Sequence, residues 1–154
     1  MKKIVFACFI ATCLLAACKS DTSGNQSDGE RANVTAAIDP GTIKLICSPV
    51  EEPNMEADAP KHEVFIQMGD SRIKIADILN CQAIEASAYE QYQIPSGALS
   101  AVGGWWAGAG DYLYVELQGD LFVVKQGEMF EEKTDNDYGY KTVMTFSKDG
   151  KEVF

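Results

Sequence analysis

A single histidine, a surplus of carboxylates and five cysteines are the residues of this 154-residue chain with the most chemistry to offer. His62 is the only imidazole, so a metal centre that needs several histidines is excluded. A serine–histidine–aspartate relay would have to run through it. Its setting between Lys61 and Glu63 reads as a solvated loop. Neither Ser96 in Pro95-Ser96-Gly97 nor Ser100 in Leu99-Ser100-Ala101 stands in the G-x-S-x-G elbow that exposes a nucleophilic serine. Glycoside hydrolysis asks for two carboxyl groups in a cleft, one with a raised pKa. Glu51-Glu52, Glu131-Glu132 and the Asp135/Asp137 pair all fall in charged loops or turns and read as solvated. Asp135-Asn136-Asp137-Tyr138-Gly139 starts like a calcium loop, but Gly139 comes one position early and Phe146 occupies the place of the bidentate glutamate. A hairpin turn explains it better. The chain therefore reads as a non-enzyme, with no catalytic residue, cofactor or metal site.

The segment from Gly104 to Tyr112, GWWAGAGDY, is the most unusual stretch. Gly108-x-Gly110 is followed by strand-like alternation, not by a helix, so it is not a dinucleotide fingerprint. The glycines point to a backbone that turns sharply or is approached closely. Two adjacent tryptophans on a strand cannot both point inward. Trp105, Trp106, Tyr112 and Tyr114 are therefore the candidate binding surface, for a sugar face or a hydrophobic knob of a partner. In the alternative, Trp105 closes one end of the domain and Trp106 plugs a gap beneath a loop.

The cysteines divide by position. Met1-Lys2-Lys3 is cationic, Ile4 to Leu14 carries no charge and is too short to span a bilayer, and Leu15-Ala16-Ala17-Cys18 follows. This arrangement resembles the signal peptide and lipobox of bacterial lipoproteins. The resemblance implies diacylglycerol on the Cys18 thiol, cleavage before Cys18 and acylation of the new amino terminus. Several buried acyl chains, each contributing about 0.8 kcal/mol per CH₂, anchor stably where one would not. Lys19, in place of aspartate, resembles the pattern that permits sorting to the outer membrane. Residues 1–17 are then the signal peptide, 18–40 the lipidated cysteine with a polar tether, and 41–154 one folded domain. Cys8 and Cys13 leave with the signal peptide, so Cys47 and Cys81 remain as an even pair outside the cytoplasm. A disulfide between them is expected; two separately buried thiols are the other reading.

The formal net charge of −10 becomes −12 once Lys2 and Lys3 are removed. Such a domain should avoid nucleic acid and anionic head groups and draw cationic partners at long range, although solubility alone also accounts for the charge.

The elements that must position these residues show a period of two. Ile43, Leu45 and Cys47 alternate with Lys44, Ile46 and Ser48, Val64, Ile66 and Met68 with Glu63, Phe65 and Gln67, Ile73 and Ile75 with Arg72, Lys74 and Ala76, and Leu113, Val115 and Leu117 with Tyr112, Tyr114 and Glu116. Gly69-Asp70, Gly119-Asp120 and Asp149-Gly150 have the residues of tight hairpin turns. Glu128–Glu132 adds a further strand, and Tyr140, Thr142, Met144 and Phe146 share one face of another. Pro95 to Trp106 stands apart: Leu99 and Val102 are three apart and Gly103-Gly104 follows, which predicts one short helix. A second is expected over Ala86–Gln91. The result is a mainly β fold, a small antiparallel β-barrel or sandwich of seven or eight strands with one or two short helices.

Two resemblances concern the body of the chain. Pro95 through Tyr114 looks like a segment of uncharacterised envelope lipoproteins of the Bacteroidota, which implies an address and no activity. The whole plan is similar to the membrane-bound inhibitors of c-type lysozyme, in which a Ser-Gly-Ala stretch and an aromatic-Lys-Gly turn send a serine and a lysine into the lysozyme cleft. Ser96-Gly97-Ala98 and Trp105-Trp106-Ala107-Gly108 echo these, with Ala107 where the lysine belongs, so only Ser96 carries over. The expected protein is lipid-anchored in the cell envelope, with a non-catalytic binding or structural domain. Lysozyme inhibition and glycan binding are the alternatives. Its partners would be the membrane, through Cys18, and an envelope protein or glycan.

Overall fold

The computed structural model describes residues 37–50, 59–132 and 137–154. Cys18, Glu51, Glu52 and Asp135, on which expectations were placed, lie outside the described residues. β1 (Lys44–Pro49), β2 (Lys61–Met68) and β3 (Ser71–Leu79) form a three-stranded antiparallel sheet. β4 (Gln82–Ala83), β5 (Ser100–Trp106), β6 (Ala109–Gln118), β7 (Leu121–Phe130) and β8 (Lys141–Ser147) form a five-stranded one in chain order. The sheets do not close into a barrel. Of the two expected architectures the chain adopts the sandwich.

The turns fix the registers. Gly69 (φ 57°) and Gly119 (φ 60°) take the left-handed conformation that a two-residue hairpin needs. Met68 consequently faces Ser71, and Gln118 faces Leu121. From there the pleat aims Val64, Ile66 and Met68 of one sheet at Leu113, Val115, Phe122 and Val124 of the other, and all are buried in one core. Burial of each such side chain stabilises the fold by roughly 1.5–3 kcal/mol. Two further ties cross between the sheets. The Leu45 amide donates to Ser100 Oγ at 3.0 Å, and a disulfide joins Cys47 to Cys81 across 34 residues of sequence.

Two bulges change the parity that simple alternation predicts. Val64 faces Ala76 and Phe65 faces Lys74, so Ile75 is an extra residue of β3. Ile73 and Ile78 are five apart, yet both pack against the core. On the other sheet Val124 faces Met144 and Lys125 faces Thr142, leaving Val143 extra. Met144 and Phe146 therefore turn toward the core while Tyr140 goes to the opposite face, so the expected four-residue face is split.

Other expectations need correction. Pro95–Trp106 is not a helix. Ala98 N–H donates to the Pro95 carbonyl at 2.9 Å in a tight turn, and β5 begins at Ser100. The glycines that looked like a helix end are mid-strand. Pro40–Thr42 is a single 3₁₀ turn, η1, and Ala86–Tyr92 is a 3₁₀ helix, η2. Glu128–Phe130 continues β7 and is not a separate strand. His62 is half-buried on β2, not in a loop. At the other end, packing begins before Gly41: the Ile38 amide donates to the Lys148 carbonyl at 2.7 Å and its side chain joins the core.

A double Cys47→Ser, Cys81→Ser variant should lose about 3–4 kcal/mol of unfolding free energy, the loop-closure entropy of a loop this long. Urea titration of the two proteins checks this. An unchanged midpoint would mean that the bridge constrains nothing the sheets do not already hold.

Candidate binding surface

The hairpin that carries the tryptophans turns through Ala107 (φ 50°) and Gly108 (φ 84°). Both central residues have positive φ, the two-residue geometry that follows strand twist. Glycine takes it freely, whereas alanine there costs roughly 1–2 kcal/mol. The turn sets Trp106 opposite Ala109, Trp105 opposite Gly110 and Gly103 opposite Tyr112.

Glycines and aromatic rings alternate across the strands on one face. A Cβ at Gly103 would come within 2.4 Å of the Tyr112 ring, and one at Gly110 within 2.6 Å of the Trp105 ring. At Gly127, directly opposite Tyr112, a Cβ would reach the Tyr140 ring at 2.7 Å. Each ring thus lies flat over a neighbour's bare backbone. Gly104 faces the other way, and there a Cβ would collide with the Leu79 carbonyl at 2.0 Å.

All six tyrosines of the chain gather on the outer side of the five-stranded sheet. Tyr92 and Tyr112 lie 5.2 Å apart between ring centres, Tyr112 and Tyr138 5.1 Å, and Tyr114 and Tyr140 4.9 Å. Tyr138 and Tyr140 stack at 5.7 Å. The Tyr140 hydroxyl donates to the Tyr92 carbonyl at 2.9 Å, and Tyr138 reaches the Gln91 carbonyl. These bonds seat η2 on the sheet. Burial pushes the Tyr112 hydroxyl up to about 12, helped by Tyr138 and Tyr92. Tyr140 is pushed further in the same direction, again chiefly by burial.

The expected surface is therefore divided. Tyr112 and Tyr114 are buried, 6 % and 4 % exposed, and act as packing between sheet and helix. Trp105 and Trp106 are 42 % and 37 % exposed, on opposite faces of the hairpin tip. Trp105 borders a groove of about 250 Å³ together with Gln82, Glu85 and Tyr92. Ser96 is exposed and lines a different hollow, with Tyr89 and Gln93, while Ala107 lines a third. The serine that the inhibitor resemblance carries over therefore does not share a cleft with the tryptophan turn. His62 Nδ1 lies 3.1 Å from the Pro60 carbonyl. Among the described residues no three histidine, cysteine, aspartate or glutamate side chains converge as metal ligands would.

Sequence reasoning missed Leu79, Phe130, Asp111 and Glu128. Phe130 is 41 % exposed, two strands from Trp106 on the same face, and Asp111 faces Glu128 directly across β6 and β7. Counting back from Gly119-Asp120 pairs Asp111 with Glu128 and Ala109 with Phe130, whereas Trp106 joins that row only through the Ala107-Gly108 turn. No family model matches the chain, and neither a curated protein nor a solved structure was found to match it.

Gly103→Ala should destabilise the domain by about 1–3 kcal/mol through overpacking against Tyr112, and by much less in a Tyr112→Ala background. Equal losses in both backgrounds, measured by a double-mutant cycle in urea, would show that the ring contact is not the cause. Tyr89, Tyr112, Tyr114, Tyr138 and Tyr140, all raised chiefly by burial, also set an alkaline limit. Their raised hydroxyls stay protonated in the folded chain while unfolded tyrosine ionises near 10, so the unfolded state binds fewer protons above about pH 10. Stability should be full below that pH and fall between about 10 and 12. Tyrosinate absorbance should then rise together with loss of the near-ultraviolet dichroism. Ionisation of these five tyrosines near 10 in a still-folded protein would contradict this.

Proposed function

We propose that this chain is a lipoprotein of the bacterial cell envelope, anchored through Cys18 in the outer membrane, whose β domain binds a partner without catalysing a reaction. The run from Met1 through Leu15-Ala16-Ala17-Cys18 supports the anchor, and Lys19 supports the outer-membrane address. The observation that carries the binding reading is the pair of half-exposed tryptophans at one hairpin tip. Large aromatic surface left in water on an otherwise well-packed domain marks a place of contact. Tryptophan also contributes more than most side chains when a partner desolvates it. The absence of catalysis is supported by chemistry: the one histidine of the chain has its Nδ1 against the Pro60 backbone carbonyl and not against a serine or carboxylate.

A second reading, stacking of a glycan sugar on Trp105, is favoured by the groove in which Gln82 and Glu85 supply polar groups beside the rings of Trp105, Tyr92 and Tyr112.

Cys18→Ser should abolish labelling by a palmitate analogue and remove the protein from the outer-membrane fraction. Labelling and fractionation like the wild type would refute the anchor. For the domain, tryptophan fluorescence of the lipoprotein in neutral detergent should respond to envelope material, with muramyl glycan fragments and a basic peptide as the two probes. A response to neither would leave Trp105 and Trp106 without a binding role.

A further inference from the structure

Trp106 and Trp105 face different surroundings. The pleat puts Trp106, Ala109 and Phe130 in one row across β5, β6 and β7, and Gly104, Asp111 and Glu128 in the next row on the same face. Deeper rows on this face are Val102 with Leu113, then Val115 with Val124, which are core. Cover by the three-stranded sheet reaches Gly104, where the Leu79 carbonyl lies against the glycine. Beyond that point the core face continues as a shelf on which Trp106 and Phe130 are exposed.

The shelf is acidic. Asp111 is half-buried and has Glu128 directly opposite, an arrangement of like charges that costs stability. Burial and the Glu128 carboxylate push the Asp111 carboxyl up, against a hydrogen bond from Gln126. Elsewhere on the same hairpin the carboxylate is neutralised: Glu116 pairs with Lys125 at 3.2 Å. Among the described residues no ion pair reaches Asp111, Glu128, Glu131 or Glu132, although Lys141 stands opposite Gln126 in the next row. Glu131 and Glu132 line the hollow beside Phe130. Two facing carboxylates between a tryptophan and a phenylalanine suit an ammonium or guanidinium group, which they would pair while the rings add cation–π attraction.

We propose that this shelf, Trp106 and Phe130 beside Asp111 and Glu128, docks a basic segment of a partner protein in which lysine or arginine alternates with apolar side chains. The proposal rests on the reading of the domain as a binding module and gives that module a partner chemistry. A second copy of this chain is a poor occupant, because each copy carries a net charge of −10 and docking would set carboxylates against carboxylates. An anionic lipid surface is disfavoured for the same reason. A neutral glycan would leave Asp111 and Glu128 without a counter-charge.

The test uses the full lipoprotein in neutral detergent, a capped hexapeptide of alternating lysine and valine as the probe, and detergent micelles alone as the blank. Calorimetric binding should weaken as salt rises from about 0.05 to about 0.5 M. Asp111→Asn, Glu128→Gln and Trp106→Ala should each raise Kd by about tenfold or more, and Asp70→Asn, which removes an exposed carboxylate at the Gly69-Asp70 turn, by less than about twofold. Glu128→Gln should at the same time unfold at higher urea than wild type, since it removes repulsion; a carboxylate kept for structure would give the opposite sign. The proposal is overturned if the wild type does not bind the peptide, if binding is indifferent to salt, or if Asp70→Asn weakens it as much as Glu128→Gln does. It is equally overturned by a concentration-dependent dimer that Trp106→Ala dissolves. Should the peptide fail while muramyl glycan still perturbs the tryptophans, the binding-module reading survives without this partner. Failure of both probes removes both readings.

Discussion

Tyr112 can lie flat on the sheet only because Gly103 across the strands and Gly110 two residues before it have no side chain, and the rest of the outer layer follows from that contact. Glycine in a strand interior weakens it by leaving nothing to pack. Here an aromatic ring from the adjacent strand fills the space, which is how an otherwise costly glycine is made up for. The flattened rings present a nearly continuous aromatic floor, and the tyrosine hydroxyls at its far side reach the carbonyls of Gln91 and Tyr92. A short 3₁₀ helix with little cooperativity of its own is held there by side chains that belong to strands. Gly104, one residue along, performs the reverse service for the inner face by admitting the Leu79 backbone. Two adjacent glycines thus serve the two layers of the sandwich in turn.

The inner layer depends on parity more than on composition. Each bulge inserts one residue, at Ile75 and at Val143, and each reverses which face the following side chains occupy. Without the second, Tyr140 would lie on the core face with Met144 and Phe146, and the aromatic floor would lose the ring that covers Gly127. The disulfide and the Ser100 hydroxyl then fix how the smaller sheet sits on the larger. Both act near the same edge, where β1 approaches β5.

Much of this was legible from alternation and turn residues. Gly69-Asp70 and Gly119-Asp120 gave the right registers because a two-residue loop leaves no freedom in pairing, and the Cys47–Cys81 bridge was expected from the even pair of cysteines left once Cys8, Cys13 and Cys18 are set aside. The tryptophan hairpin was not legible, because Leu99, Val102 and Gly103-Gly104 imitate the spacing and the end signal of a helix. Ala107-Gly108 is a turn whose first residue pays for its positive φ, so it lacks the usual asparagine or glycine marker. Had that turn been placed, counting back would have paired Gly103 with Tyr112 and Trp105 with Gly110. The burial of Tyr112 was therefore hidden by a single missed turn. That of Tyr114 and Tyr140 also needed η2, whose placement is tertiary and carries no local signature.

Tandem tryptophans invite interpretation as one platform, but strand geometry forbids it. Successive residues point to opposite faces, so Trp105 looks onto a groove edged by neutral amide and tyrosine groups with Glu85, and Trp106 onto facing carboxylates. The two environments differ in what they would exclude: the first tolerates a neutral ligand, while the second is unfavourable without a cation. Both are exposed for one reason, that the smaller sheet on one side and η2 on the other stop short of the hairpin tip. The strain at Ala107 sits at that same tip, where no packing partner is needed to accommodate it. A stretch that ended one turn earlier would have buried its aromatics or lost them. Extending β5 and β6 past both covering layers keeps the fold intact while leaving two chemically distinct aromatic faces in contact with the surroundings.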